Sequence, residues 1–131
     1  MSHLNKSTAD ALRQVTDYYD DTIALLTSVG RPINIPQGRP VIIENQPPDK
    51  AYILLDGEME IRREGHVIAR LKAGDVVGEM SLLTGNLRNA TVVAVTAERA
   101  LHFTDVEFTK VLQIDPAFAE QLRGSSAGRF A

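Results

Sequence analysis

The sequence predicts a mainly β protein with helices at both ends, and three observations predict it. Between Pro32 and Phe103, short apolar segments alternate with turn residues: PINI, GRPVII, AYILLDG, EMEIRR, HVIARL, DVVG, TVVAV and ALHF, about eight strands. Before them, Leu12, Val15, Tyr19, Ile23 and Leu26 recur at helical spacing. After them, Thr104-Asp105-Val106-Glu107 has the form of a capping box. Many short strands with regular turns make a sandwich or a barrel.

Each element has a local reason. Residues 1–6 carry no pattern and are expected to be loose. Ser7 is a helix cap, with Asp10 near the positive end of the dipole. The periodic stripe then predicts one helix that stops at Gly30 and Pro32. That helix either packs on the body of the domain or makes a dimer contact, and the stripe fits both. Glu58, Glu60 and Arg62 alternate with Met59 and Ile61, the pattern of a strand with one wet face. Glu64-Gly65 predicts a tight hairpin, and Lys72-Ala73-Gly74-Asp75 another turn. In the capping box, the Thr104 hydroxyl and the Glu107 carboxylate each satisfy a free backbone N–H. Phe108, Val111 and Leu112 give that helix its apolar face. Asp115-Pro116 starts a second helix, with Phe118, Ala119 and Leu122 inward and Gly124 as its stop. The domain plan is a helical segment over 1–31, the β body with its C-terminal helices over 32–123, and a flexible GSSAGRFA tail over 124–131.

The totals set limits. A chain of 131 residues fits one domain with one core. The net charge of -3 argues against a general nucleic-acid binder, which needs a basic face to displace counterions from phosphates. There is no cysteine, so there is no disulfide, thiolate metal site or cysteine nucleophile, as suits a reducing cytoplasm. No apolar run reaches the length of a membrane span.

The chemistry concentrates in GEMSLLTGNLRNATVVA, from Gly78 to Ala94. Gly78 precedes a turn or two of helix whose first N–H groups are unobstructed, which with the helix dipole makes an anion site. Thr84-Gly85-Asn86 turns the chain back, and Arg88 can then meet phosphate oxygens in a bidentate pair. Glu79 would repel a bare phosphate. It makes sense beside a ligand that also carries a hydroxyl, such as a ribose 2′-OH. On spacing alone, a helix-favouring glutamate and a solvated loop arginine remain the alternative.

These residues also resemble a family. Gly78-Glu79-Met80-Ser81-Leu82-Leu83 followed by Arg88-Asn89-Ala90-Thr91-Val92 is similar to the phosphate-binding cassette of cyclic nucleotide-binding domains. That family includes bacterial catabolite activator proteins, protein kinase A regulatory subunits and cyclic nucleotide-gated channels. Residues Ala51 to Met59 resemble its strand–Gly–strand element, and Gly74-Asp75-Val76-Val77-Gly78-Glu79 its Gly-Asp-x-x-Gly-Glu approach. The capping box and Phe108 match the helix after its barrel, so the likeness covers roughly residues 32–123.

The resemblance implies an eight-stranded antiparallel β-roll, jelly-roll-like, with an N-terminal helix, a short phosphate-binding helix and C-terminal helices. It implies cAMP or cGMP as ligand, with no other cofactor. Carried over, Glu79 accepts from the ribose 2′-OH and Arg88 neutralises the cyclic phosphate. Gly78 opens the cradle, and backbone amides around Met80, Ser81 and Ala90 complete it. Ile61, Ile68 and Leu71 fall where the family lines the sugar and base, with core packing as the alternative. In a regular strand Ile68 and Leu71 face opposite sides, so both can line the site only if a bulge intervenes. Asn89 stands where family members often carry Ser, Thr or Ala, which leaves the choice of base open. The helix from Pro116 is short beside those of many relatives. No effector segment follows it in this sequence, so the expectation is a stand-alone binding module, a fragment, or a module whose partner is another chain, an effector protein or a second copy.

Two other functions are weighed against a sensor module. One is a degenerate cyclic nucleotide-binding fold that serves protein association. The sequence argues against it by retaining Glu79 and Arg88, which the roll is not expected to need for folding. The other is an enzyme of the metal-dependent barrel type. His3, His66 and His102 form no His-x-His or His-x-x-x-His pair, and Ser81 and Thr84 have no evident base partner, so no catalytic role is expected.

Overall fold

The computed structural model describes residues 7–123. The expectations for residues 1–6, for His3 and for the tail over 124–131 lie outside them. Two helices come first, α1 (Thr8–Val15) and α2 (Asp20–Val29). Eight strands follow: β1 (Arg31–Ile35), β2 (Pro40–Ile42), β3 (Lys50–Asp56), β4 (Glu58–Arg63), β5 (His66–Lys72), β6 (Val76–Val77), β7 (Thr91–Ala94) and β8 (Glu98–Thr104). Helix α3 (Glu79–Thr84) sits between β6 and β7, and α4 (Asp105–Ile114) and α5 (Pro116–Arg123) close the described chain.

The strands form two four-stranded sheets, in the orders β1-β8-β3-β6 and β2-β7-β4-β5. Every pairing is antiparallel. This is the β-roll that the resemblance implied, and all eight apolar segments of the sequence become its strands. None of the described helices is long and apolar enough to cross a membrane.

Two apolar clusters explain the texture of the strands. The inner one lies between the sheets and holds Ile42, Tyr52, Leu54, Met59, Ile61, Leu71, Val77, Ala90, Val92 and Ala100 among others. The outer one joins the first sheet to the helices through Leu12, Ile23, Leu26, Ala51, Ile53, Leu101, Phe103, Phe108 and Phe118. Alternate residues of β3 enter alternate clusters. That strand is covered on both faces, which is why it reads as an unbroken apolar run. Edge-to-face ring contacts knit the outer cluster together. The centroids lie 5.1 Å apart for Tyr18–Phe118, 6.0 Å for Phe108–Phe118 and 5.5 Å for Phe103–Phe108.

The caps behave as the sequence predicted. The Ser7 hydroxyl accepts from the Asp10 N–H at 3.1 Å. Thr104 and Glu107 form the full reciprocal box, at 3.1 and 2.9 Å. Asp115 caps α5 through the Phe118 N–H at 3.1 Å and also accepts from the Thr22 hydroxyl at 2.6 Å, tying α2 to the C-terminal helices. Thr104→Ala is expected to lower stability by about 1 kcal/mol, seen as a melting shift of roughly 3–5 °C for a domain of this size. An unchanged melting temperature would mean that the box does not hold α4.

Two expectations need correction. The N-terminal helix is not continuous: residues 16–19 interrupt it. The Thr16 hydroxyl donates to the Leu12 carbonyl at 2.7 Å, and the Gln121 side chain donates to the Asp17 carbonyl at 3.3 Å. The Gln121 bond, with the Tyr18 N–H donating to the Thr16 hydroxyl at 3.4 Å, holds the connector in a non-helical path. Asp20 and Asp21 then occupy the first turn of a new helix, where acids suit the dipole. Tyr19, expected on the apolar stripe, is 63% exposed, while Tyr18 packs on Phe118. The second correction concerns β4, whose outer face is not wet at its centre. Glu60 is 8% exposed and lies under Arg62 at 2.7 Å and Arg70 at 2.9 Å.

Candidate ligand site

The excursion between β6 and β7 is built around two glycines and one arginine. Gly78 ends β6 with φ +94° and Gly85 ends α3 with φ +74°, so both bends use backbone that other residues rarely adopt. Gly78 is further constrained by space. A Cβ there would lie 3.0 Å from the Lys50 carbonyl oxygen and 3.1 Å from Nη1 of Arg88. The bare backbone lets the arginine close on it.

Arg88 is 2% exposed. Nη1 donates to the Gly78 carbonyl at 2.6 Å, and Nη2 donates to the Lys50 carbonyl. Asp49 stands 4.0 Å from Nη2. The backbone of Arg88 is fixed as well. Its N–H donates to the Gln46 carbonyl at 2.9 Å, and its carbonyl accepts from the Asn45 N–H at 2.8 Å. Burial draws the guanidinium below its ordinary pKa, while Asp49 and Tyr52 act in the opposite direction. Burial, and then Asp49, push the Tyr52 phenol up to about 12. A guanidinium has five coplanar N–H donors, so bonds to main-chain carbonyls and to a ligand are not mutually exclusive. These bonds correct one sequence-based argument: Arg88 does serve the fold.

The other predicted residues fall into three groups. Ile61, Leu71 and Ala90, exposed by 0%, 3% and 0%, share the inner cluster. Ile68 is 37% exposed on β5. Ile61 pairs with Ala69 and Arg62 with Val67, so Ile68 is the extra residue at a register shift. That shift is a bulge, yet Ile68 stays exposed and is not part of the inner cluster that holds Leu71. Glu79 and Ser81 are buried at the start of α3, Met80 is half-buried and Asn89 is exposed. Burial raises the Glu79 pKa. Glu79 and Met80 line a cavity of about 380 Å³ with Leu112, Ala119 and Leu122 of the C-terminal helices. Arg88 lines a different one, about 280 Å³, with Ile42, Gln46, Asp49 and Lys50. The two charged residues expected at one mouth therefore line separate cavities.

Nothing in the sequence singles out the β2–β3 loop and the start of β3 as neighbours of Arg88. Asn45, Gln46, Asp49 and Lys50 hold Arg88 through backbone groups and one carboxylate. Only the Pro47-Pro48-Asp49 turn signal marks that loop, and it says nothing about its neighbour in space. Among the described residues, no three His, Cys, Asp or Glu side chains gather where a metal ion could be held.

Comparison with known proteins adds independent findings. The family model for the cyclic nucleotide-binding domain matches residues 32–115. The chain is similar to a cGMP-dependent protein kinase of Caenorhabditis elegans, 37% identical over 59 residues, 45% of this chain and 8% of the kinase. It is similar to a CRP-like cAMP-activated global transcriptional regulator of Mycobacterium tuberculosis, 27% identical over 105 residues, 76% of this chain and 47% of the regulator. The chain thus spans less than half the length of these relatives. Its fold matches the crystal structure of Thermus thermophilus catabolite activator protein with a TM-score of 0.73 at 24% identity, covering 87% of this chain and 55% of that one.

Proposed function

The chain belongs to the cyclic nucleotide-binding domain family, and on that premise we propose that it is a sensor module for cAMP or cGMP. The observation that carries this reading is Arg88. A full positive charge is held at a fixed point, 2% exposed, beside the inner cluster of the roll. In such a low-dielectric setting a singly charged phosphodiester gains far more from an arginine than it does in water. Arg88 neutralises the cyclic phosphate. Backbone amides of Gly78, Met80, Ser81, Asn89 and Ala90 surround it, Glu79 accepts from the ribose 2′-OH, and Ile61, Ile68 and Leu71 line sugar and base.

The separation of Glu79 from Arg88 gives the module something to do. A ligand that engages both cavities would shift the Gly78–Ala90 excursion. Glu79 shares its cavity with Leu112, Ala119 and Leu122, so that movement repacks α4 and α5. The ligand then favours one arrangement of the helices over another, which is a population shift. The regulated activity belongs to whatever effector reads those helices.

Calorimetric titration with cAMP and with cGMP, and with 5′-AMP as a control, tests this. Saturable one-site binding of a cyclic nucleotide, with 5′-AMP weaker, is the expected result and identifies the preferred base. No heat and no thermal stabilisation with either would sink the sensor reading. It would favour the protein-association reading, for which the exposed Leu83, Leu87 and Val106 supply apolar surface.

A further inference from the structure

The turn that carries Arg88 is fixed on both sides by main-chain bonds. Before it, Arg88 exchanges two hydrogen bonds with Asn45 and Gln46. After it, Thr91 pairs with Arg62 of β4, and its hydroxyl accepts from the Glu44 N–H at 3.0 Å. The peptide between, from Asn89 to Ala90, is held by a side chain. Nε of Arg63, at the end of β4, donates to the Asn89 carbonyl at 3.0 Å. We propose that Arg63 is a positioning residue for the ligand site, holding the Asn89 carbonyl outward and thereby aiming the Ala90 N–H into the roll. The reason is peptide planarity: in a trans unit the C=O and the following N–H point in opposite directions. Arg63 and Asn89 are exposed, whereas Ala90 is 0% exposed and packs in the inner cluster with Ile61 and Leu71. Fixing the oxygen on the wet side therefore orients the hydrogen toward the side where the ligand is placed. An amide already turned toward a phosphate need not reorient on binding, so the arginine acts on affinity through pre-organisation.

The inference rests on the sensor reading, and two readouts keep them apart. The first is nucleotide affinity of the wild type, Arg63→Ala and Arg63→Lys. Arg63→Ala is expected to bind roughly three- to tenfold more weakly, the range for the net contribution of one hydrogen bond. Its melting temperature should stay within about 2 °C of the wild type, as for a surface change. Arg63→Lys should recover part of the affinity, because an ammonium also donates to a carbonyl. The second readout needs no ligand: the amide chemical shift and exchange rate of Ala90 by NMR. In Arg63→Ala both should move, while the amides of Val92 and Val93 stay in place. Equal affinity in the wild type and Arg63→Ala would overturn the inference and leave the sensor reading standing. If the wild type binds neither nucleotide, the sensor reading falls. The Ala90 amide then decides alone: a change confined to it supports the positioning role, and an unmoved signal overturns it.

Discussion

Arg88→Ala is expected to abolish most of the nucleotide affinity, by on the order of 2–5 kcal/mol, well over tenfold. The magnitude follows from burial. At 2% exposure, the guanidinium meets a ligand's charge with little water to screen it. The same substitution leaves the carbonyls of Gly78 and Lys50 without this donor, which costs a further ~1–3 kcal/mol of stability. A simple loss of binding would therefore be ambiguous. Arg88→Lys resolves it, because an ammonium keeps the charge but not the planar fork. If the phosphate is read bidentately, the lysine variant should bind clearly more weakly than the wild type while melting above the alanine variant. Calorimetry and thermal melting on the same samples give both quantities. Affinity within about threefold of wild type in folded Arg88→Ala would place the phosphate elsewhere.

The body of the fold was legible because each strand is short, apolar and bounded by turn residues. Eight such segments could hardly be read otherwise. The capping box at Thr104 and the Asp115 cap were legible for the same reason: they are contacts within three residues. What the sequence hid was contact between distant segments. Tyr19 obeys the helical period, but the bond from Gln121 to the Asp17 carbonyl, 104 positions away, helps hold the connector open. Glu60 alternates like a solvated residue and is covered by Arg70 from the next strand. Arg88 was singled out for its chemistry, yet the Gly78 and Lys50 carbonyls that hold it, and the separate cavities that it and Glu79 line, arise only from the folded path. Ile68 is a further case: the register shift against β4 that falls at it is not marked in the sequence.

A second large effect concerns a residue that the sequence did not single out. Glu98, at the start of β8, is 4% exposed, and neither carboxylate oxygen has a hydrogen-bond partner among the described residues. Its Cα pairs with Ile35 of β1. Gly57, with φ +92°, lies so close that a Cβ there would be 2.6 Å from the Glu98 Cβ. Burial, and then the like charge of Asp56, push its pKa up to about 7. Asp56 pairs across the sheet with Arg99, and the Glu58 N–H is bonded to Thr96, so neither neighbouring turn brings Glu98 a hydrogen-bonding partner. The sign follows from the direction of the shift. An acid whose folded pKa lies above its unfolded value keeps its full contribution below the unfolded value, near 4.5, and loses it as pH rises through about 7. Wild-type stability should therefore fall between pH 5 and pH 8, by up to about 3 kcal/mol from this one group. Glu98→Gln cannot ionise. It should match the wild type near pH 5, exceed it by about 2–3 kcal/mol at pH 8, and flatten the slope between. Urea unfolding across that range measures the difference. Parallel curves for the two proteins would mean that Glu98 reaches solvent or a counter-ion, and that the corner between β3 and β4 is looser than its packing indicates.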